Sequence, residues 1–173
     1  MKKILTLLSL AIISIGANAQ NSLAGSWAMT EKVMFSSMTQ MMTFDSNLSG
    51  KVENKFSVVF NANFMGVKMS GEAETSISGV FELKGDRLTI KWGDNVRQKI
   101  IKPIEISYKD EVAPPDIQKK MESLWDECAK AFKEMAGEEV IYDSAVIKNG
   151  KLILSRIEDG KKNNLTYKFV SGL

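Results

Sequence analysis

The residue types that usually perform acid–base or nucleophilic chemistry are sparse in this chain. None of its 173 residues is a histidine, so no serine or cysteine has an imidazole base, and proton transfer would need Glu, Asp, Lys or Tyr. Glu72 and Glu74 alternate on one strand face, and Glu138 and Glu139 follow a predicted helix end. Both pairs are typical of solvated surface. With no glycine-rich phosphate loop and no metal-ligand motif, we predict a protein that is not an enzyme and takes no cofactor or metal.

Four methionines, Met34, Met38, Met41 and Met42, lie within nine positions. Thioethers are soft ligands that favour Cu(I), so this cluster offers a copper hypothesis. Met42 and Met41 should point to opposite faces of a strand, however, and no histidine or cysteine joins them. We therefore favour methionine as an adaptable lining of an apolar pocket.

Glu31 is the acidic residue that the sequence predicts to point into the interior. It shares strand parity with Trp27, Met29 and Val33, which would aim its carboxylate into the fold. A buried carboxylate needs a partner, and this one could anchor the amine or hydroxyl of a ligand. The alternative is that a bulge or the end of the strand turns Glu31 outward.

Most of the chain alternates between apolar and polar residues, as strands with one buried face do. The clearest run covers residues 52–64. The turn sequences Lys84-Gly85-Asp86-Arg87, Asn149-Gly150 and Asp159-Gly160 predict hairpins, and Pro103 should lie at an edge or a bulge. We expect an all-β antiparallel meander of about eight to ten strands, closed into a barrel because closure removes exposed edges.

One segment, about residues 115–136, has helical periodicity instead. Pro115 and Asp116 open it, Gly137 is a plausible stop, and its apolar stripe contains Ile117, Met121, Leu124, Trp125, Cys128, Ala131, Phe132 and Met135. The stripe either packs against the barrel wall as core or forms a lid over the barrel mouth. Cys128, the single cysteine, lies on this stripe, which favours an inert buried thiol over a reactive one.

The first 19 residues have the order of a cleaved export signal. Lys2 and Lys3 precede the apolar stretch 4–15, and Ala17-Asn18-Ala19 matches the small-x-small cleavage pattern. The apolar stretch is too short for a stable membrane span. We expect residues 20–173 to form one domain that is periplasmic or secreted.

Charge argues against nucleic acid as a partner. Once Lys2 and Lys3 are removed, the basic and acidic side chains balance, whereas phosphate backbones require a clustered basic excess. Lys119-Lys120 and Lys161-Lys162 are isolated pairs among acids.

The segment Gly25-Ser26-Trp27 resembles the first-strand Gly-x-Trp motif of lipocalins and of bacterial lipocalin-like domains. The resemblance implies a lipocalin-like barrel in which Trp27 plugs the closed end. It also implies a basic residue on a late strand that packs over this tryptophan. Arg156 shares parity with Leu152 and Leu154, so we expect a cation–π contact between Arg156 and Trp27.

Ligands of β-barrels lie in the mouth and interior, among apolar side chains with a few polar anchors. We therefore expect this chain to bind a small hydrophobic or amphipathic ligand. The candidate binding residues are Met29, Glu31, Val33, Met42, Phe56, Val58, Phe60, Ile90, Trp92 and Tyr108. The alternative is a solidly filled barrel that acts through its surface as an envelope interaction or inhibitor module, with a protein partner that the sequence does not identify.

Overall fold

A computed structural model describes residues 22–33, 36–109 and 111–172, except for the side chains of Val33, Gln118, Met121, Leu124 and Cys128. The predicted signal, Met34 and the expectations for the Cys128 and Val33 side chains lie outside this description. Within it, no helix combines the length and the apolar character needed to span a membrane.

The described chain forms ten strands and one helix, in agreement with the predicted all-β class. The strands are β1 (Gly25–Val33), β2 (Ser36–Phe44), β3 (Ser49–Phe64), β4 (Val67–Lys84), β5 (Arg87–Tyr108), β6 (Glu111–Val112), β7 (Glu139–Tyr142), β8 (Ser144–Lys148), β9 (Lys151–Glu158) and β10 (Lys161–Ser171). The helix α1 (Pro115–Met135) lies between β6 and β7, within a residue of the predicted bounds.

All strand pairs are antiparallel, and neighbours along the sheet follow the order β6-β5-β4-β3-β2-β1-β10-β9-β8, with β7 also paired to β5. The meander was therefore predicted correctly. The expected closure was wrong, because this order does not return to its first strand. Instead of forming a ladder with β5, β8 pairs only with β9 among the described strands.

A single extended segment, 139–148, spans the two sides of this opening. Its first half, β7, pairs with β5, and its second half, β8, pairs with β9. Asp143 separates the halves, and its Oδ2 accepts a 2.9 Å hydrogen bond from the Ile157 backbone N–H. The Ala145 N–H also donates to the Asp86 carbonyl at 2.6 Å. The chain thus draws the sides together without a continuous ladder.

Three predicted hairpin turns are confirmed, between β4 and β5, β8 and β9, and β9 and β10. Positive φ angles at Asn149 and Gly150 (53° and 68°) and at Asp159 and Gly160 (51° and 74°) give two tight turns whose twist matches the flanking strands. Pro103 falls where the β4–β5 register shifts, as expected for a residue without a backbone donor.

The core fills the concave side of the sheet. Its buried members come from both ends of the strand order and include Trp27, Phe44, Ile77, Leu88, Ile90, Leu152, Leu154 and Tyr167. The indole N–H of Trp27 donates to the Leu23 carbonyl at 2.8 Å, and its ring meets Phe169 edge-on with centroids 5.1 Å apart. Trp27 therefore lies fully buried where β1 and β10 meet.

Arg156 does not reach Trp27. Its side chain is 47% exposed and its guanidinium pairs with the Glu158 carboxylate at 3.2 Å, while Phe169 supplies the aromatic contact of Trp27. The apolar alternation of β9 ends at Leu154, and the next residue, Ser155, is buried. Parity with Leu152 and Leu154 therefore failed to predict the surroundings of Arg156.

Helix α1 covers the part of the concave face that lies beyond the main core. Trp125 is buried against Val58, Ala73 and Ile104, and its ring lies 5.2 Å from that of Phe60. Phe132, about two turns later, joins the main core. The backbone carbonyl of Trp125 also accepts a 2.7 Å hydrogen bond from the Gln98 side chain. The helix is thus anchored to β3, β4 and β5 as part of the core.

We expect Trp27→Ala to lower the free energy of unfolding by roughly 3–5 kcal/mol, because it removes a fully buried indole. Arg156→Ala should cost less than about 1 kcal/mol, because it removes only an exposed ion pair. Urea unfolding at neutral pH measures both. A loss at Arg156 comparable with that at Trp27 would contradict the described packing.

Candidate functional site

The ten predicted binding residues do not form one site. They fall into separate groups in different parts of the structure. Met42, Ile90 and Trp92 are fully buried in the core, so they pack against protein. Met29 is half-buried at the margin of that core. The interior expected to hold a ligand is therefore occupied by side chains at these positions.

Phe56, Val58 and Phe60 do line an open space, together with Met38 and Gln40 of the neighbouring strand. The register of β2 and β3 places Met38 opposite Val58 and Gln40 opposite Phe56, so these residues form adjacent rows on one face. They make one wall of a groove of about 610 Å³.

Helix α1 supplies the other wall through Glu127, Ala131, Phe132 and Met135. The Phe132 and Phe56 rings approach to 6.1 Å between centroids, which joins the two walls at their base. The groove exists because α1 is anchored over β3, β4 and β5, which leaves the concave side of β2 beside it uncovered. We call this space the α1–β2 groove. Its lining consists of Met38, Gln40, Asn54, Phe56, Val58, Phe60, Glu127, Ala131, Phe132 and Met135.

A chain of hydrogen bonds crosses the floor of the α1–β2 groove. The Tyr167 hydroxyl donates to Gln40 Oε1 at 3.2 Å, and Gln40 Nε2 donates to Asn54 Oδ1 at 3.2 Å. Asn54 is buried although it lies in an otherwise apolar row, between Val52 and Phe56. These contacts fix the orientation of two neutral amides beneath the apolar walls.

Burial, and to a smaller extent the nearby Tyr142, raises the pKa of the Tyr167 hydroxyl above its ordinary value of 10.0. Burial likewise raises the pKa of Tyr142, with Arg156 acting in the opposite direction. Tyr167 therefore keeps its proton at neutral pH and serves as a fixed donor to Gln40.

Glu31 is exposed and does not enter the interior. Beyond Ala28, β1 no longer pairs with β10, so nothing from that strand covers the following residues of β1. Its register partner is Met38, which places Glu31 one strand away from the wall of the α1–β2 groove. The β1–β2 register runs unbroken to Val33, so Glu31 keeps the sheet face of Met38, as parity predicted. Its expected burial was wrong, because no described strand or helix covers this end of β1.

Tyr108 lies on the strand face that parity predicted, but its expected burial was wrong. It shares a strand face with the buried Ile104, but it is 53% exposed at the far end of β5. Its ring contacts the Lys109 ammonium, 5.2 Å from the ring centroid. The strand continues beyond the part of the sheet that α1 covers, so correct alternation no longer leads to burial.

The described methionines are separated as expected for a pocket lining. Met42 is buried in the core, Met38 lines the α1–β2 groove, and Met41 points to the other face of β2. No group of three or more His, Cys, Asp or Glu residues that could hold a metal ion occurs in the described part of the chain.

The chemistry that the α1–β2 groove offers is binding. Its walls are apolar, its floor presents two amides, and Glu127 is the charged residue among the described side chains that line it. These side chains include no pair of nucleophile and base. A molecule with an apolar chain and a hydrogen-bonding head would match both surfaces.

Gln40, Asn54 and the helix residues of the groove were missing from the predicted site. The sequence does contain a signal for the two amides, because each interrupts a row of apolar residues at inward positions of its strand. Phe132 and Met135 lay on the predicted helical stripe, but the strand that the stripe faces depends on long-range packing.

Comparisons with protein-family profiles, with curated proteins and with solved structures find no match to this chain.

Tyr167→Phe should change how stability depends on pH. Because the pKa of Tyr167 is higher in the folded protein, the unfolded chain loses this proton first, and stability falls as the pH rises above about 10. The variant should lose about 1 kcal/mol at neutral pH, from the missing hydrogen bond, and should show a shallower alkaline decline. Urea unfolding between pH 7 and pH 11.5 measures both. Parallel alkaline slopes for the two proteins would contradict this role of Tyr167.

Proposed function

We propose that this chain is an exported, lipocalin-like binding protein without enzymatic activity, and that it holds a small amphipathic ligand in the α1–β2 groove. The observation that carries the proposal is the combination of an open apolar space of about 610 Å³ with oriented amides at its floor. Ligand sites commonly fall in this size range and combine apolar walls with a few placed polar groups.

The lining indicates the class of ligand. Phe56, Phe60 and Phe132 favour an apolar chain or ring, since burying such surface is favourable by roughly 25 cal/mol per Å². Gln40 and Asn54 favour a neutral head that donates or accepts hydrogen bonds, such as a hydroxyl or a carbonyl. Glu127 disfavours an anionic head, because it would place two negative charges in one partly apolar space.

The filled interior changes where the ligand is expected. Trp27, Met42 and Trp92 occupy the core that a hollow barrel would leave open. The proposed site is therefore beside the helix, and only Phe56, Val58 and Phe60 of the predicted residues contribute to it.

Ala131→Trp should block the α1–β2 groove, because Ala131 is exposed on the helix wall and an indole would fill the space in front of it. Lys133→Trp is the matched control, since Lys133 is exposed on the same helix and is not part of the groove. With the neutral fluorescent probe N-phenyl-1-naphthylamine, we expect at least about tenfold weaker binding for Ala131→Trp and little change for the control. Equal binding by both variants, or no binding by the native protein, would contradict the proposal and favour the surface-module alternative.

Gln40→Met should distinguish contacts with the polar head of the ligand from contacts with its apolar chain. Methionine has a similar length but lacks the amide, so 1-dodecanol should bind about threefold to tenfold more weakly, the equivalent of one lost hydrogen bond. Affinity for N-phenyl-1-naphthylamine should change by less than about twofold, because its contacts are mainly apolar. Displacement titrations measure both affinities. An unchanged affinity for the alcohol would show that Gln40 does not bind the head.

A further inference from the structure

Five large apolar side chains are exposed together at the end of the sheet where β3 turns into β4. They are Phe64, Met65, Val67, Tyr108 and Val112, which we call the tip patch; Met65 and Val112 are 80% and 81% exposed. Isolated exposed apolar residues are ordinary, whereas a contiguous group indicates a contact surface.

The backbone holds the tip patch in a defined shape. Met65 and Gly66 form the β3–β4 turn with φ angles of 50° and 80°, and Tyr108 of β5 is the register partner of Val67. The Lys109 N–H donates to the Gly66 carbonyl at 2.8 Å, which ties the start of the β5–β6 connection to this turn. The register places Phe64, Val67 and Tyr108 on one face of the strands and Val112, opposite Ser107, on the other. The apolar side chains therefore lie on both faces around the β3–β4 turn and the neighbouring end of β5.

The tip patch lies at the far end of the paired strands. In the described part of the chain, β3 and β4 stay paired from Phe60 and Gly71 to Phe64 and Val67, and β5 runs beside them to Tyr108. At about 3.3 Å per residue, the turn lies roughly 13 Å beyond Phe60. The patch thus occupies the end of a ribbon formed by β3, β4, β5 and β6.

Its size and shape favour a lipid surface over a protein. A stable protein interface buries about 800 Å² on each partner, whereas five partly exposed side chains at the end of this ribbon supply roughly 500 Å². A bilayer can close around the end of a ribbon, and no complementary pocket is needed. Tyr108, with the Lys109 ammonium over its ring, has the amphipathic character found at the level of lipid headgroups.

Charge does not supply the attraction. The sequence around these turns contains two lysines, Lys68 and Lys109, and two acids, Asp110 and Glu111, so its formal charges cancel. We propose that the tip patch inserts into the interfacial region of a lipid bilayer, with apolar burial as the driving force. This site is separate from the α1–β2 groove, so the two proposals can fail independently.

The first experiment is co-sedimentation of the purified protein with phosphatidylcholine vesicles at low and high salt. We expect binding that persists in 0.5 M NaCl, because it depends on apolar contacts. Salt on the order of 0.1–1 M screens attraction between surface charges but leaves apolar contacts in place. Phe64→Ser combined with Met65→Asn should reduce the vesicle-bound fraction at least about tenfold; asparagine tolerates the positive φ of residue 65. Ala131→Trp should bind vesicles normally, because the α1–β2 groove takes no part.

The second experiment locates the contact. In Phe64→Trp the new indole lies in the tip patch, whereas in Leu48→Trp it lies at the opposite end of β3, on an equally accessible turn. Because the native Trp27, Trp92 and Trp125 are buried, brominated phosphatidylcholine should quench mainly the new fluorophore, and only in Phe64→Trp.

The vesicle and quenching experiments have three outcomes that would overturn the proposal. They are the absence of vesicle binding, equal quenching of the two tryptophan variants, and loss of binding in high salt. Concentration-dependent dimers that disappear in the Phe64→Ser and Met65→Asn double variant would also overturn it, by assigning the tip patch to a second copy of the chain. Thermal melting of each variant checks that its fold is intact.

Discussion

A curved sheet that does not close must have its apolar concave face covered by something other than its own strands. In this protein, Trp27 and its neighbours fill the side where β1 and β10 meet, and α1 covers the opposite side through Trp125 and Phe132. The two coverings meet at Phe132, but they leave an open space beside Met38 and Gln40 of β2. The α1–β2 groove is the strip of concave face that remains, so its existence follows directly from where the helix is anchored.

The helix can approach the sheet because the long strands β4 and β5 bend at positions without side chains. A Cβ on Gly71 would lie 3.1 Å from the Ile104 Cα and 3.3 Å from the Trp125 ring, and one on Gly79 would lie 2.5 Å from the Lys91 carbonyl oxygen. Both glycines are at register shifts between β4 and β5. Close strand packing and helix docking therefore depend on the same irregularities, which are typical of bent strands.

The hydrogen bonds on the groove floor connect the two halves of the structure. Tyr167 belongs to β10, Gln40 to β2 and Asn54 to β3, so the chain of donors runs from the main core to the open wall. Buried polar groups are costly unless they are paired, and here each amide is oriented by its neighbour. The same arrangement that satisfies these groups presents them to a molecule in the groove.

The sequence by itself determined the features that depend on neighbouring residues. Strand alternation, the Asn149-Gly150 and Asp159-Gly160 turns and the bounds of α1 follow from backbone preferences and from periodicities of two and 3.6 residues, and the structure confirms them. Only the tertiary structure decided the opening of the sheet, the position of the α1–β2 groove and the exposure of Glu31, Tyr108 and Arg156. Parity specifies the face of a strand, but burial depends on whether a distant strand or helix covers that face, and this is decided by contacts between residues far apart in the chain.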